Sequence, residues 1–275
     1  MTTRIAVLVD NEAGTPNLGG EHGLALWVEH RDKCILFDAG QTDLLTRNAV
    51  VLSVPLERAD AIVVSHGHYD HTGGLPGVLT RAPAAPVYLH ADALRPRFRL
   101  GDGEPRMIGV DVETRAALAE HSNVVHPTAP CEITPGIWVS GPIPRVNPWE
   151  TVEEPFFLDR EGRKPDAILD EQALWIETEK GLFIITGCAH AGIVNTIAHA
   201  QNHFPGLPIV GVLGGLHLRA ATPDRLERTS SCLASLALDQ LATGHCTGEA
   251  AQEYLANTLD ECTSRIHGGL VIKVP

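Results

Sequence analysis

A layered α/β or α+β domain is the fold class predicted for this chain, on three observations. Short apolar runs alternate with turn signals along its length. Strands and hairpins come first and strand–helix–strand–helix alternation comes last, so helices and sheets share one core. Of the 275 residues, 44% are hydrophobic and 20% charged, enough apolar material for a large core. Neither a repeat nor a domain boundary is visible, so residues 1–275 read as a single domain.

Residues 1–10 (MTTRIAVLVD) carry an apolar run that stops at Asp10. It is too short for a secretory core or a membrane span and reads as a first strand. Residues 24–29 and 34–38 predict a hairpin leading into Ala39-Gly40. Residues 61–65 (AIVVS) are continuously apolar, the pattern of a strand buried on both faces. Further strands are predicted at 86–90, 123–126 and 137–140. The runs 172–178 and 182–186 form a hairpin around Glu179-Lys180-Gly181, and strands follow at 208–213 and 269–273. Helical spacing predicts helices over 41–52, 72–80, 112–121, from beyond Cys188 to about His203, over 223–237 and over 247–259. Thr222 before Pro223 is an N-cap and first-turn pair. Residues 141–168 hold five prolines and mixed charge, and read either as a surface loop or as a lid over a site.

With 34 acidic and 21 basic residues the formal charge is −13. The four lysines, Lys33, Lys164, Lys180 and Lys273, stand singly. Nucleic-acid and anionic-membrane surfaces need clustered cations, so both are disfavoured as partners and a small-molecule substrate is expected. The six cysteines contain no CxxC pair and read as reduced thiols of a cytoplasmic protein. A homodimer is among the assemblies left open.

The 14 histidines are the unusual feature. Ser65-His66-Gly67-His68-Tyr69-Asp70-His71-Thr72-Gly73-Gly74 follows directly on the apolar run at 61–65. Extended backbone points His66 and His68 to one side, and Asp70 and His71 follow where the chain turns into a helix. Four metal-capable side chains within six residues match the nitrogen and oxygen ligands of zinc, manganese or iron.

HGHYDH (66–71) is the HxHxDH signature of the metallo-β-lactamase fold, which the chain resembles. Phe37-Asp38-Ala39-Gly40, the stretch ITGCAHAGIVN (185–195) and Thr243-Gly244-His245 extend the likeness across residues 5–272. The segments EHGLAL (21–26), GPIPR (141–145), DEQALWI (170–176), GGLHL (214–218) and GHCTG (244–248) are similar to one branch of the family. Its members are labelled 7,8-dihydropterin-6-methyl-4-(β-D-ribofuranosyl)aminobenzene-5′-phosphate synthases. The resemblance implies an αββα sandwich, two mixed sheets flanked by helices, with a metal site at one edge between the sheets.

Common members supply a middle His after a Pro-Gly step and a bridging Asp in a Gly-Asp step. Here the first region reads Ser140-Gly141-Pro142-Ile143-Pro144-Arg145, and the second reads Gly187-Cys188. His190, two residues on, can supply the missing imidazole. The resemblance therefore implies His66, His68 and His190 for one divalent ion and Asp70, His71 and His245 for another, with zinc ahead of manganese or iron. Cys188 stays open between a zinc-binding thiolate and a buried inert thiol. Occupancy by one metal or two stays open as well.

His217 follows the strand at 208–213 and is a candidate for catalysis beside Asp70, either as acid/base or as a ligand. His22 starts the second strand and Arg145 follows two prolines; both are candidates for substrate binding. Asp170 and Glu171 are placed to orient ligands or to pair with an Arg. His30, His90, His121, His126, His199, His203 and His267 have no ligand-like partner in sequence. The expected function is metal-dependent hydrolysis of a small anionic phosphoester, in which a metal lowers the pKa of water to about 7 and Asp70 orients it. The alternative is a synthase joining a pterin methylene to an arylamine with loss of pyrophosphate.

Overall fold

A computed structural model describes residues 3–150, 154–259 and 262–274. Two seven-stranded mixed sheets dominate it. The first runs Val271–Val274, Thr3–Val9, Ala25–His30, Lys33–Phe37, Ala61–Val63, Val87–Tyr88 and Val124–Val125 in spatial order. The second runs Thr263–Arg265, Gln240–Thr243, Ile209–Gly214, Leu182–Thr186, Leu174–Glu177, Ile137–Val139 and Cys131–Thr134.

Side chains alternate across each strand, and this divides the apolar runs between two cores. Ile5, Val7, Leu26, Val28, Ile35 and Phe37 of the first sheet meet Leu174, Ile176, Phe183 and Ile185 of the second in one cluster. Their neighbours Ala6, Leu8, Trp27 and Leu36 face the other way, into the core that holds Leu45 and Ala49 of the helix Leu44–Val51 and Leu75 and Val78 of the helix Leu75–Arg81. On the far side, Trp175 and Ile184 pack with Ile193 and Ile197 of the helix Ile193–His203, Leu233 of Pro223–Ser235 and Leu255 of Glu249–Leu259. Helix, sheet, sheet, helix is the layering. With both faces covered, the strands read as continuous apolar runs rather than alternating ones.

The hairpin expected around Glu179–Gly181 pairs Leu174 with Ile185 and Glu177 with Leu182. Thr222 caps its helix by accepting the Arg225 N–H at 3.2 Å. The helix expected over 72–80 is two pieces, Tyr69–Thr72 and Leu75–Arg81, with Gly73 and Gly74 between them. The strands Cys131–Thr134, Gln240–Thr243 and Thr263–Arg265 had no signal in the sequence. They are short, and the first and last form the sheet margins, where partial exposure removes the apolar pattern.

A third sheet of three short strands, Phe156–Phe157, Phe98–Arg99 and Arg106–Met107, stands apart from the sandwich. It joins part of the 141–168 segment to residues 98–107; residues 151–153 of that segment lie outside the described ones. Among the described residues, no helix is long and apolar enough to cross a membrane.

Candidate metal centre

The chemistry-bearing residues follow the ends of strands in both sheets. Lys33–Phe37 leads into Asp38, and Ala61–Val63 leads into Ser65, His66 and His68. In the second sheet, the mutually parallel strands Leu182–Thr186, Ile209–Gly214 and Gln240–Thr243 lead into Cys188 and His190, His217, and His245 with Cys246. Strand ends on one edge of an α/β sheet converge, so side chains as far apart in sequence as Asp38 and Cys246 share one site. Gly187 makes the join between sheets possible: a Cβ there would stand 2.1 Å from Ser65 Oγ. Gly67 allows a similar approach, since its Cβ would meet the Ala93 carbonyl oxygen at 2.0 Å. Asp38, Ala189, His217 and His245 all adopt left-handed backbone, with φ between 51° and 59°. Such strain costs on the order of 1–3 kcal/mol per residue and gathers at functional sites.

Two donor sets form. In the first, His66 Nε2 and His68 Nδ1 face each other at 2.9 Å, and His190 joins them to make a buried three-histidine group. The Nε2 atoms of His68 and His190 are buried without a partner. Burial, assisted by neighbouring histidines and Arg97, holds His66, His68 and His190 well below the usual imidazole range, so their lone pairs are free.

In the second set, His71 Nε2 lies 3.1 Å from His245 Nε2 and 3.7 Å from Asp70 Oδ2, which is 3.5 Å from His245 Nε2. Asp38 Oδ2 holds His71 Nδ1 at 2.7 Å and accepts the Ser65 hydroxyl at 2.7 Å. Burial opposes charge on His71, but the Asp38 and Asp70 carboxylates outweigh it and push the imidazole up to about 9. Buried imidazole nitrogens without partners, and two ring nitrogens 3.1 Å apart beside a carboxylate, are donors that fit a divalent ion.

Further side chains hold these groups in place. Asp170 accepts the Gly67 N–H at 2.8 Å and is gripped by Arg97, which also pairs with Asp166 at 2.8 Å. Glu171 accepts the N–H groups of His190 and Ala191, both at 2.5 Å, and burial pushes its carboxyl up to about 7 against those two bonds. Asp170 and Glu171 thus do what their place in the sequence predicts.

A cavity of about 570 Å³ opens over both sets. His22 lines it, 3.2 Å from Asp70 Oδ2 and stacked on His245 with ring centroids 5.1 Å apart. His217 lines it too, its ring 4.2 Å from that of His190 and its Nε2 2.6 Å from Glu154 Oε1. Burial disfavours charge on His217, yet Cys246 and Glu154 push it up to about 10. Arg145 is not among the lining residues. Its guanidinium donates to the carbonyls of His190, Ala167 and Ile168, so the expected substrate ligand is instead a clamp behind the site. The seven remaining histidines are all absent from the lining, as expected.

Other residues complete the walls, among them Phe156, an aromatic of the 141–168 segment. Arg99, Arg106 and Arg219 bring three guanidinium groups, and Tyr69, Phe156 and Ile108 bring apolar surface. Arg106 donates to the Tyr69 hydroxyl at 2.6 Å and lies over its ring. Glu154, Pro155 and Phe156 come from the 141–168 segment, which therefore forms a wall of the cavity rather than a plain surface loop. Spacing carried no signal for these residues, because the small third sheet brings most of them to the site.

The Metallo-beta-lactamase superfamily profile matches residues 18–199, and the chain belongs to that superfamily. It is 30% identical to the 7,8-dihydropterin-6-methyl-4-(beta-D-ribofuranosyl)-aminobenzene-5'-phosphate synthase of Methanocaldococcus jannaschii, over 98% of this chain and 96% of that one. An uncharacterized protein of the same organism is 34% identical over 89% of this chain and 90% of its own length. A crystal structure of Tm1679, described as a metal-dependent hydrolase of the beta-lactamase superfamily, superposes with a TM-score of 0.85 at 29% identity, covering 99% of both chains.

Proposed function

We propose that the protein is a metal-dependent hydrolase of a small, anionic, phosphoester-type substrate. The observation that carries this reading is the pairing of two convergent donor sets with a cavity walled by Arg99, Arg106 and Arg219, in a chain whose total charge is −13. Local cationic walls attract an anion whatever the net charge, and guanidinium groups match phosphate oxygens in bidentate geometry.

His66, His68 and His190 would hold one divalent ion, and Asp70, His71 and His245 a second, with zinc the first choice. When bound, such ions polarise a phosphoryl oxygen and make water nucleophilic at neutral pH. Asp70 faces the cavity beside His22 and orients the attacking water. His217, protonated and held by Glu154, donates a proton to the leaving oxygen, a role worth about 10²–10⁴-fold in rate. Tyr69 and Phe156 give an apolar wall for the organic part of the substrate.

The 30% identical relative favours a second reading, a synthase that joins a pterin methylene to an arylamine with loss of pyrophosphate. The same donors and arginines would then take the pyrophosphate. Metal-reconstituted protein assayed side by side on phosphoesters and on a pterin pyrophosphate with an arylamine decides between them. Phosphoester turnover that is lost on chelation supports hydrolysis; condensation without ester cleavage overturns it. A small-molecule partner and a cytoplasmic setting belong to the same proposal.

A further inference from the structure

The small third sheet has its polarity inverted. Its strands pair so that Phe156, Arg99 and Arg106 form one cross-strand row, and Phe157, Phe98 and Met107 the next. Side chains alternate between faces, and the first row is the one that lines the cavity. The cavity side therefore carries two guanidinium groups, while the row turned away is apolar, with Met107 47% exposed. Arg99 and Arg106 stand directly opposite each other, with Cβ atoms about 4.5–5.5 Å apart, an arrangement in which like charges destabilise a sheet. Neither has an ion-pair partner among the described residues. Arg106 is fixed instead by the Tyr69 hydroxyl at 2.6 Å and by the Tyr69 ring, whose centroid lies 5.1 Å from its guanidinium carbon.

We infer that Arg99 and Arg106 are a second anion subsite, which takes a non-reacting anionic group at the far end of the substrate. An anion shared by two facing guanidinium groups cancels the repulsion that the empty sheet carries, and each fork can donate to it in bidentate fashion. The sheet also sets where that group sits. Its strands rise from a buried base, where the Ile108 N–H donates to the Arg97 carbonyl at 2.9 Å and the Tyr69 N–H to the Ile108 carbonyl at 3.0 Å. Arg99 and Arg106 come two residues further out, about 6.8 Å beyond that base at 3.4 Å per residue. Tyr69 and Phe156 line the same cavity, with Phe156 against the three-histidine set, its ring centroid 5.4 Å from that of His68. The substrate class is then a reacting phosphoryl group, an apolar ring-sized body along Tyr69 and Phe156, and a terminal phosphate or carboxylate. This narrows the substrate of the proposed hydrolase and rests on that reading for the reacting end alone.

Two non-hydrolysable probes test it on the metal-loaded full chain: a naphthylphosphonate, and the same molecule with a carboxylate at the far end of its rings. Fluorescence titration gives the ratio of their affinities. The wild type is expected to bind the carboxylated probe roughly 10–100-fold more tightly, the worth of a charge-assisted contact. Arg99→Gln and Arg106→Gln are expected to bring that ratio close to one. Arg219→Gln changes the wall beside His245, and is expected to weaken both probes while keeping the ratio. Arg99→Gln also ends the like-charge opposition, so it is expected to unfold at or above the wild-type Tm. Equal affinity of the wild type for the two probes overturns the inference and leaves the hydrolase reading to its own assay on phosphoesters. A ratio that survives in either folded arginine variant of the pair, or that Arg219→Gln abolishes, also overturns it. A Tm several degrees lower in Arg99→Gln makes the pair a support of the sheet and overturns it as well. A folded, metal-loaded chain that binds neither probe overturns both the subsite and the anion-binding reading beneath it.

Discussion

The two donor sets lie side by side yet are built on different electrostatic plans. His66, His68 and His190 are neutral, buried and poor in charged partners, a preformed nest of lone pairs. The neighbouring set has two carboxylates, Asp38 and Asp70, a histidine charged by them and a thiol that burial pushes up. The first set is ready for a cation at any pH near neutral; the second already holds protons that a cation must displace. The two proposed positions would therefore differ in affinity and in pH dependence, because desolvation dominates one and paired charge the other.

Removing a direct ligand from the first set is the strongest way to break this comparison. His68→Ala is expected to lower phosphoester turnover by about 10³-fold or more, roughly 4 kcal/mol of lost electrostatic assistance. Metal analysis should show one equivalent lost; full activity in this variant would remove the three-histidine position from the mechanism.

Asp38→Asn should sharpen the contrast instead. It takes the carboxylate from His71 Nδ1, and loss of such an outer partner weakens metal binding by about 10–100-fold. Competition with a chromophoric chelator is expected to show the larger loss at the weaker position. Equal losses at both would mean that Ser65, which links Asp38 to His66 Nδ1 at 2.9 Å, transmits the effect in full.

Protons give a third contrast. Filling the three-histidine set should release none, whereas filling the second should release about one, from His71. The sign follows from competition: His71 is protonated below about 9, so affinity at this position falls as pH falls, by up to about tenfold per unit for each proton. Calorimetry in buffers of different ionisation enthalpy measures the count. The smallest expected effect is a control. Thr222→Ala removes a helix cap far along the chain from either set, costing about 1 kcal/mol in thermal unfolding and leaving both affinities unchanged.

Much of this arrangement is legible in the chain. His66, His68, Asp70 and His71 occupy six consecutive positions after a strand, so local geometry alone brings them together. Asp170 and Glu171 were readable as supports because they directly precede an apolar strand. Arg145 misled, because two prolines fix where a side chain starts and not what it reaches; the carbonyls of His190, Ala167 and Ile168 took its donors.

By itself, then, the sequence determined the layered α/β class, the strand-end histidine cluster and the family signature, since each depends on spacing along a few residues and on the periodicity of buried strands. Only the tertiary structure decided that Cys188 sits among His66, His71 and His245, that Glu154 meets His217, and that a small third sheet carries Arg99 and Arg106 to the cavity. Those contacts join residues many tens of positions apart. They exist because two sheets are pressed face to face by a shared apolar core and their strand ends open on one edge, a condition that no local pattern encodes.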